Sequence, residues 1–361
     1  MAKQNAVVTG YGFYAPPKVV TNYDLEKIVD TTDEWITSRT GIKERRWASD
    51  GETTSSMSVR AARQALERAR LRPQDVDLIV VGTCSPDYLF PATACLVQDA
   101  LGAVRAGAFD VEAACTSFVS AIAIANGMIL AGTCRNAVVV GAETLSRLLD
   151  RTDRTTCVLF GDGAGAVVLE ASNASVGVES AVLHADGSKG ELLYVAAGAT
   201  KIPATKDTVE QRLHFIKMQG GEVFKLAVKS MADAAEEALA EAGVTVEEID
   251  LLVPHQANIR IIEAVAKRLR FPMEKVFVNI QRYGNTSAAS IPIALAEAAE
   301  SGRLTKGDRV LLVAFGGGFT WGAAVMEWWG VPIPDRREKT IVERAARTVD
   351  DLLDRVRLPS S

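Results

Sequence analysis

Short β-branched runs alternate with longer alanine-rich stretches along this chain. The runs fall at residues 5–9, 76–81, 137–140, 166–169, 249–253, 276–279 and 310–314, each bounded by Gly, Asp, Asn or Pro. Several are apolar at every position, which predicts strands covered on both faces. The stretches between them predict helices over 57–69, 117–130, 221–242, 258–269 and 288–301. Strand and helix alternating at this rhythm predict an α/β protein with layered helices. One helix stands out. Residues 118–130 read FVSAIAIANGMIL, apolar nearly all round, so this helix is expected to lie buried between layers. It is too short to span a membrane.

A weak internal repeat organises the pattern. QDVDLIVV at 74–81 resembles EEIDLLV at 247–253, which sets Asp77 and Asp250 173 positions apart. Val138 and Leu311, in the later strands of each half, stand at the same offset. The reading is a duplication, with an N-terminal half over 1–175 and a C-terminal half over 176–330. Residues 331–361 stand apart. After Pro332 and Pro334 the chain is highly charged, with Ile341, Ala345, Val349, Leu352 and Val356 on one helical stripe. An amphipathic tail helix is expected there, packed on its own body or on a partner subunit.

Composition narrows the function classes. The 361 residues are 48% hydrophobic and 24% charged, which excludes a disordered chain. Acids outnumber bases 45 to 40, so no global field draws the protein to nucleic acid or anionic lipid. Five cysteines without CxxC spacing suit a reducing compartment. No signal peptide opens the sequence and no apolar run approaches a membrane span. The expected location is the cytoplasm.

Candidate chemistry begins at Cys115, in DVEAACTSF, after one expected strand and before the buried helix. A sulfur at a helix N-terminus is favoured as thiolate. Such a cysteine would be a nucleophile without a neighbouring base. The other reading is a buried structural cysteine, the role expected for Cys84, Cys95, Cys134 and Cys157. Glu112, three residues before Cys115, is expected to face elsewhere. Of three histidines, His255 in LLVPHQANIR follows an apolar strand, where α/β sheets bind ligands. His184 and His214 read as turn or packing residues. Asn285, in RYGNTSAAS, is either a helix cap or an amide donor to a developing oxyanion. AFGGGFTWG at 314–322 lacks the lysine of a phosphate loop, so its glycines are expected to turn backbone N–H groups toward a reacting carbonyl. Nothing has metal-site spacing.

These stretches, with TNYDLEKIVDTTDEWITSRTGIKER from Thr21 to Arg45 and FGDGAGAVVL, resemble the β-ketoacyl-[acyl-carrier-protein] synthase III family from Val7 to about Trp328. The resemblance implies a thiolase-like five-layer αβαβα fold built from two duplicated halves. It implies a homodimer that starts fatty-acid synthesis without a cofactor or metal. A short acyl-CoA, typically acetyl-CoA, would acylate Cys115. Malonyl-acyl-carrier protein would then lose CO2, and its enolate would attack the acyl thioester.

By the same resemblance His255 and Asn285 stabilise the malonyl enolate, and the N–H groups of Cys115 and Gly317 form the oxyanion hole. Phe224 shields the site. Trp35, Arg39 and Arg154 hold CoA. Lys225, Arg260, Lys267 and Arg268 form the carrier-protein rim, and Phe90 reaches a partner's acyl pocket. The chain departs from the family pattern at Gly221, in the longer connection at 196–216, and in its tail. Starter and long-chain condensing enzymes of secondary metabolism share Cys, His and Asn. A non-catalytic carrier-binding module would be expected to lose Cys115 or His255, and both are retained.

Overall fold

The computed structural model describes residues 5–174 and 176–331. Two mixed sheets carry the fold. The first orders Asn5–Tyr14, Gly163–Ser172, Asn136–Glu143, Leu78–Gly82 and Gly107–Val111. Its first two pairings are antiparallel and its last two parallel. The second orders Val178–Ala185, Thr320–Glu327, Arg309–Gly316 and Leu251–Pro254, again antiparallel, antiparallel, then parallel. It repeats the first sheet without the edge strand.

The 173-residue offset runs through the elements. It carries Asn136–Glu143 onto Arg309–Gly316 and the helix start at Ser117 onto that at Ser290. Leu78 and Leu251, which open equivalent parallel strands, obey it too. The fold is built from two duplicated halves.

Helices Ser117–Leu130 and Ser290–Glu300 lie between the sheets. Phe118, Ile122 and Ile129 from one and Ile291, Leu295 and Ala298 from the other are buried in a shared core. Their largely apolar sequences follow from that position, with exposure confined to residues such as Gly127 and Leu130 in the second half of the first helix and Glu300 at the end of the second. The outer helices are amphipathic. Thr54–Ala69 and Thr93–Leu101 cover the first sheet, while Gly220–Ala242 and Ile259–Arg268 cover the second side. The result is the five-layer αβαβα arrangement.

Two predicted elements change. Residues 276–279 form no strand. Val276 makes only an isolated bridge to Leu252, and the chain turns into helix Ile280–Tyr283. The helix expected from residue 288 begins at Ser290, after a 3-10 turn over Ser287–Ala289. That turn sits tightly on strand Asn136–Glu143: a Cβ on Gly141 would come within 2.2 Å of the Ala288 carbonyl oxygen. The expected tail helix at 331–361 lies outside the described residues, Val331 excepted.

Candidate active site

Cys115 sits in a 3-10 turn, Ala114–Thr116, that leads into the buried helix Ser117–Leu130. The turn is pinned from both sides. Ala113 N–H donates to Ser117 Oγ at 2.8 Å, and Thr320 Oγ1 donates to the Ala113 carbonyl at 2.8 Å. Ala114 is held at φ +46, a left-handed conformation costly for alanine. Gly316 lets the neighbouring strand close in, since a Cβ there would lie 2.6 Å from the Cys115 backbone nitrogen.

Cys115 is buried and lines a cavity of about 330 Å³ with Cys84, Glu112, Leu145, Ser287 and Gly317. The expectation of a resting thiolate is corrected here. Burial pushes the thiol up to about 12, and the nearby Glu143 and Glu112 push the same way. Ser287, which lines the same cavity, opposes them without winning. In this site desolvation outweighs the helix end.

His255 follows strand Leu251–Pro254, with its own N–H on the Val313 carbonyl at 2.8 Å. Gln256 locks the turn: its amide donates to the carbonyls of Pro254 and Phe277, and its oxygen accepts from Asn279 N–H. His255 Nδ1 lies 2.6 Å from Ser290 Oγ. Ser290 Oγ also accepts from Gln256 N–H at 3.2 Å. With the Ser290 hydroxyl as donor to Nδ1, Nε2 carries the ring proton. Burial lowers the His255 pKa to about 3, so the imidazole is neutral at physiological pH. It is a hydrogen-bond donor, not a cation.

Asn285 is buried beside a glycine at φ +65. Its backbone N–H donates to Leu159 and its carbonyl accepts from Gly161. Its side-chain Oδ1 accepts from Ser287 N–H at 2.9 Å, which leaves the Nδ2 group as the free donor. One short segment holds Asn285, places Ser287 in the lining of the Cys115 cavity and brings Ser290 to His255, while His255 and Asn285 do not themselves line that cavity.

Sequence reasoning missed Glu143. This buried carboxylate ends strand Asn136–Glu143 and accepts from Ser85 Oγ, Thr83 Oγ1, Cys84 N–H and Ser287 Oγ. A charged residue closing an otherwise apolar strand was the available signal. Two other expectations are also revised. Glu112 lines the cavity, because the turn bends its carboxylate back to accept from Ala114 N–H at 3.1 Å. Cys84 lines the cavity as well and Cys95 is exposed, whereas Cys134 and Cys157 are buried.

The outer candidates group separately. Trp35 lies under two guanidinium groups, Arg39 at 4.7 Å and Arg154 at 5.1 Å from its ring centre. Arg260 stands over the half-buried Phe224 ring at 5.8 Å. Lys225, Arg260, Lys267 and Arg268 are all exposed. Lys225 pairs with Glu222 and Arg268 with Asp233, and among the described residues Arg260 and Lys267 have no carboxylate within ion-pair distance. Phe90 is 86% exposed and does not line the cavity of its own chain. His184 stacks on Trp321 and meets Glu237, and His214 meets Thr208. A side chain at Gly221 would enter open space. Among the described residues, no three His, Cys, Asp or Glu side chains group as a metal site, and no helix is long and apolar enough to cross a membrane.

Comparison with known proteins agrees with this geometry. Residues 109–187 match the model of 3-oxoacyl-[acyl-carrier-protein] synthase III, and residues 239–328 match its C-terminal model. A β-ketoacyl-[acyl-carrier-protein] synthase III of Roseiflexus sp. is 54% identical, over 90% of this chain and 98% of that protein. The crystal structure of the synthase III from Aquifex aeolicus superposes with a TM-score of 0.83 at 50% identity, covering 90% of this chain and 100% of that one. The priming β-ketosynthase of the R1128 polyketide pathway superposes at 0.84 with 36% identity, covering 92% of this chain and 98% of that one. With such identity over nine-tenths of its length, the chain belongs to the β-ketoacyl-[acyl-carrier-protein] synthase III family.

Proposed function

We infer that this chain condenses a short acyl-CoA, typically acetyl-CoA, with malonyl-acyl-carrier protein and so starts fatty-acid synthesis. The products are a 3-oxoacyl-carrier protein, CoA and CO2. The observation that carries the assignment of roles is the 285–290 segment, which presents the Asn285 amide, supplies Ser287 to the lining of the Cys115 cavity and hydrogen bonds the buried, neutral His255 through Ser290.

Cys115 takes the acyl group and divides one difficult transfer into two easier ones. The N–H groups of Cys115 and Gly317 receive the tetrahedral oxyanion. Decarboxylation of the malonyl group leaves negative charge on its thioester oxygen, where Nε2–H of His255 and the amide of Asn285 donate. Donors already aimed at that charge need no reorganisation, and losing one commonly costs about 2.7–4 kcal/mol. A neutral imidazole suits this task, because it can donate without giving up its proton. Phe224 keeps water from the malonyl carboxylate.

Trp35, Arg39 and Arg154 bind the nucleotide end of CoA through ring stacking and charge. Lys225, Arg260, Lys267 and Arg268 receive the acidic carrier protein, with Arg260 and Lys267 supplying the uncompensated charge. The reaction uses no metal or resident cofactor. A second copy completes the enzyme: strand Gly107–Val111 is a sheet edge, and the neighbouring loop exposes Tyr88, Leu89 and Phe90. An open edge and a bare apolar loop are stable when paired. Substrates of this kind place the protein in the cytoplasm. Rapid-quench assays with acetyl-CoA and malonyl-carrier protein test the assignment: His255→Ala and Asn285→Ala are expected to acylate Cys115 and fail to decarboxylate. Equal loss of both steps would refute the division of roles.

A further inference from the structure

His255 and Asn285 can share one thioester oxygen only if the spacing between them is held, and they come from different elements. His255 follows strand Leu251–Pro254, and Asn285 follows the short helix Ile280–Tyr283. The two halves of the fold differ beside this strand. In the first half, Leu78–Gly82 pairs with Gly107–Val111 in a continuous parallel ladder that reaches Gly82 and Val111. The 173-residue offset carries Gly82 onto His255. In the second half the ladder has ended before that point. Val276 bridges Leu252, Phe277 N–H donates to the Leu252 carbonyl at 2.9 Å, and among the described residues no further strand pairing follows on this side.

A side chain continues the ladder. In a parallel pair a residue donates to the carbonyl one position before its partner and accepts from the N–H one position after it. The Gln256 amide does the same across Val278. Its Nε2 donates to the Phe277 carbonyl at 3.1 Å, and its Oε1 accepts from Asn279 N–H at 3.0 Å. Nε2 also donates to the Pro254 carbonyl at 2.8 Å. Two carbonyls at one end and an N–H at the other fix the orientation of the amide. Gln256 is fully buried, so water does not compete for these bonds.

The same residue reaches the far end of the segment that carries Asn285. Its backbone N–H donates to Ser290 Oγ at 3.2 Å, and that oxygen lies 2.6 Å from His255 Nδ1. Residues 279–290 are thus held by Gln256 at both ends, with Asn285 between. Inside the segment, Asn279 Nδ2 and the Tyr283 hydroxyl both donate to the buried Glu297 carboxylate, at 2.8 and 2.6 Å.

We propose that Gln256 is a positioning residue that sets the spacing of His255 and Asn285 by serving as a side-chain rung of the second sheet. The proposal rests on the reading of His255 and Asn285 as donors to the malonyl thioester oxygen. Gln256 lies outside the lining of the Cys115 cavity and acts through its neighbours. Its amide reproduces the donor and acceptor of a backbone peptide group. The histidine beside it therefore needs no regular strand as a neighbour.

The test compares Gln256→Met with wild type in single-turnover acylation of Cys115 by acetyl-CoA and in decarboxylation of malonyl-carrier protein. Acylation should stay within about threefold of wild type, a split between half-reactions that a general loosening would not produce. Decarboxylation should fall by about 100-fold, the scale of a misplacement of about 1 Å at the reacting centre. In an Asn285→Ala background there is no second donor to keep in register, so the same change should cost less than about fivefold. A loosened fold would carry its full loss into that background. Gln256→Glu keeps the shape of the side chain and the contact to Asn279 N–H. It should fall between wild type and Gln256→Met, and it is judged by the same criteria if Gln256→Met does not fold. Decarboxylation within about threefold of wild type, equal losses in both half-reactions, or an undiminished loss beside Asn285→Ala would overturn the proposal. Normal decarboxylation by His255→Ala or Asn285→Ala would overturn instead the reading on which it rests.

Discussion

Ser290 Oγ lies 2.6 Å from His255 Nδ1, so the direction of this one hydrogen bond decides which ring nitrogen carries the proton. Ser290 is the first residue of a buried helix, and His255 follows a strand of the second sheet. The central helical layer and the second sheet thus meet at a hydrogen bond whose direction matters to the chemistry.

Ser290→Ala is expected to leave acylation of Cys115 within severalfold of wild type and to slow decarboxylation by about 100-fold, the scale of a misplaced oxyanion donor. Rapid-quench separation of the two half-reactions checks this. A normal decarboxylation rate would mean that Nε2 is protonated without help from Ser290.

Much of this was legible in the sequence, for physical reasons that differ by residue. The apolar run at 118–130 predicts burial, which holds for Phe118–Ile122, Ala125 and Ile129, whereas Gly127 and Leu130 are exposed. Asp77 and Asp250 exposed the duplication because both precede equivalent parallel strands. The charge state of Cys115 was not legible. It depends on how deeply the turn is packed and on Glu143, 28 positions later in sequence. Glu112 was misjudged because residues 114–116 leave the strand in a tight turn, which returns its carboxylate to the cavity. Residues 276–279 looked like a strand because Val276, Phe277 and Val278 are apolar, but the ladder there is limited to one bridge.

Acid should weaken the fold through His255. Its pKa is lowered to about 3 by burial, against about 6.5 in an unfolded chain. Between these values the unfolded state binds the extra proton, so stability is complete above pH 6.5 and falls as pH drops toward 3. The greatest slope from this one group is about 1.4 kcal/mol per pH unit. Urea unfolding of wild type and His255→Gln between pH 7 and 5 should show the smaller acid loss in the variant. Parallel curves would contradict it.

Charge reversal at Arg260 and Lys267 together should raise KM for malonyl-carrier protein by about tenfold at low salt and spare acetyl-CoA. The defect should shrink as ionic strength rises. Steady-state kinetics at two salt concentrations check this. Equal damage toward both substrates would place the carrier protein on another face.

Phe90 carries the prediction on primer length. In a homodimer its exposed ring would enter the partner's acyl pocket and limit primers to about four carbons. Phe90→Thr should move the optimum to longer chains, at roughly fourfold in kcat/KM for each methylene newly accommodated, from about 0.8 kcal/mol apiece. Primers from two to twelve carbons, compared in both proteins, test this. An unchanged profile would confine Phe90 to packing.

The central claim is that Cys115 carries the acyl group between the two half-reactions. Intact-mass and peptide analysis after mixing with acetyl-CoA tests it most directly. One acetyl group should appear on Cys115, should be absent from Cys115→Ala, and should be discharged when malonyl-carrier protein is added. An enzyme that condenses both substrates while Cys115 remains unmodified, or that carries the acetyl group on another residue, would contradict the account.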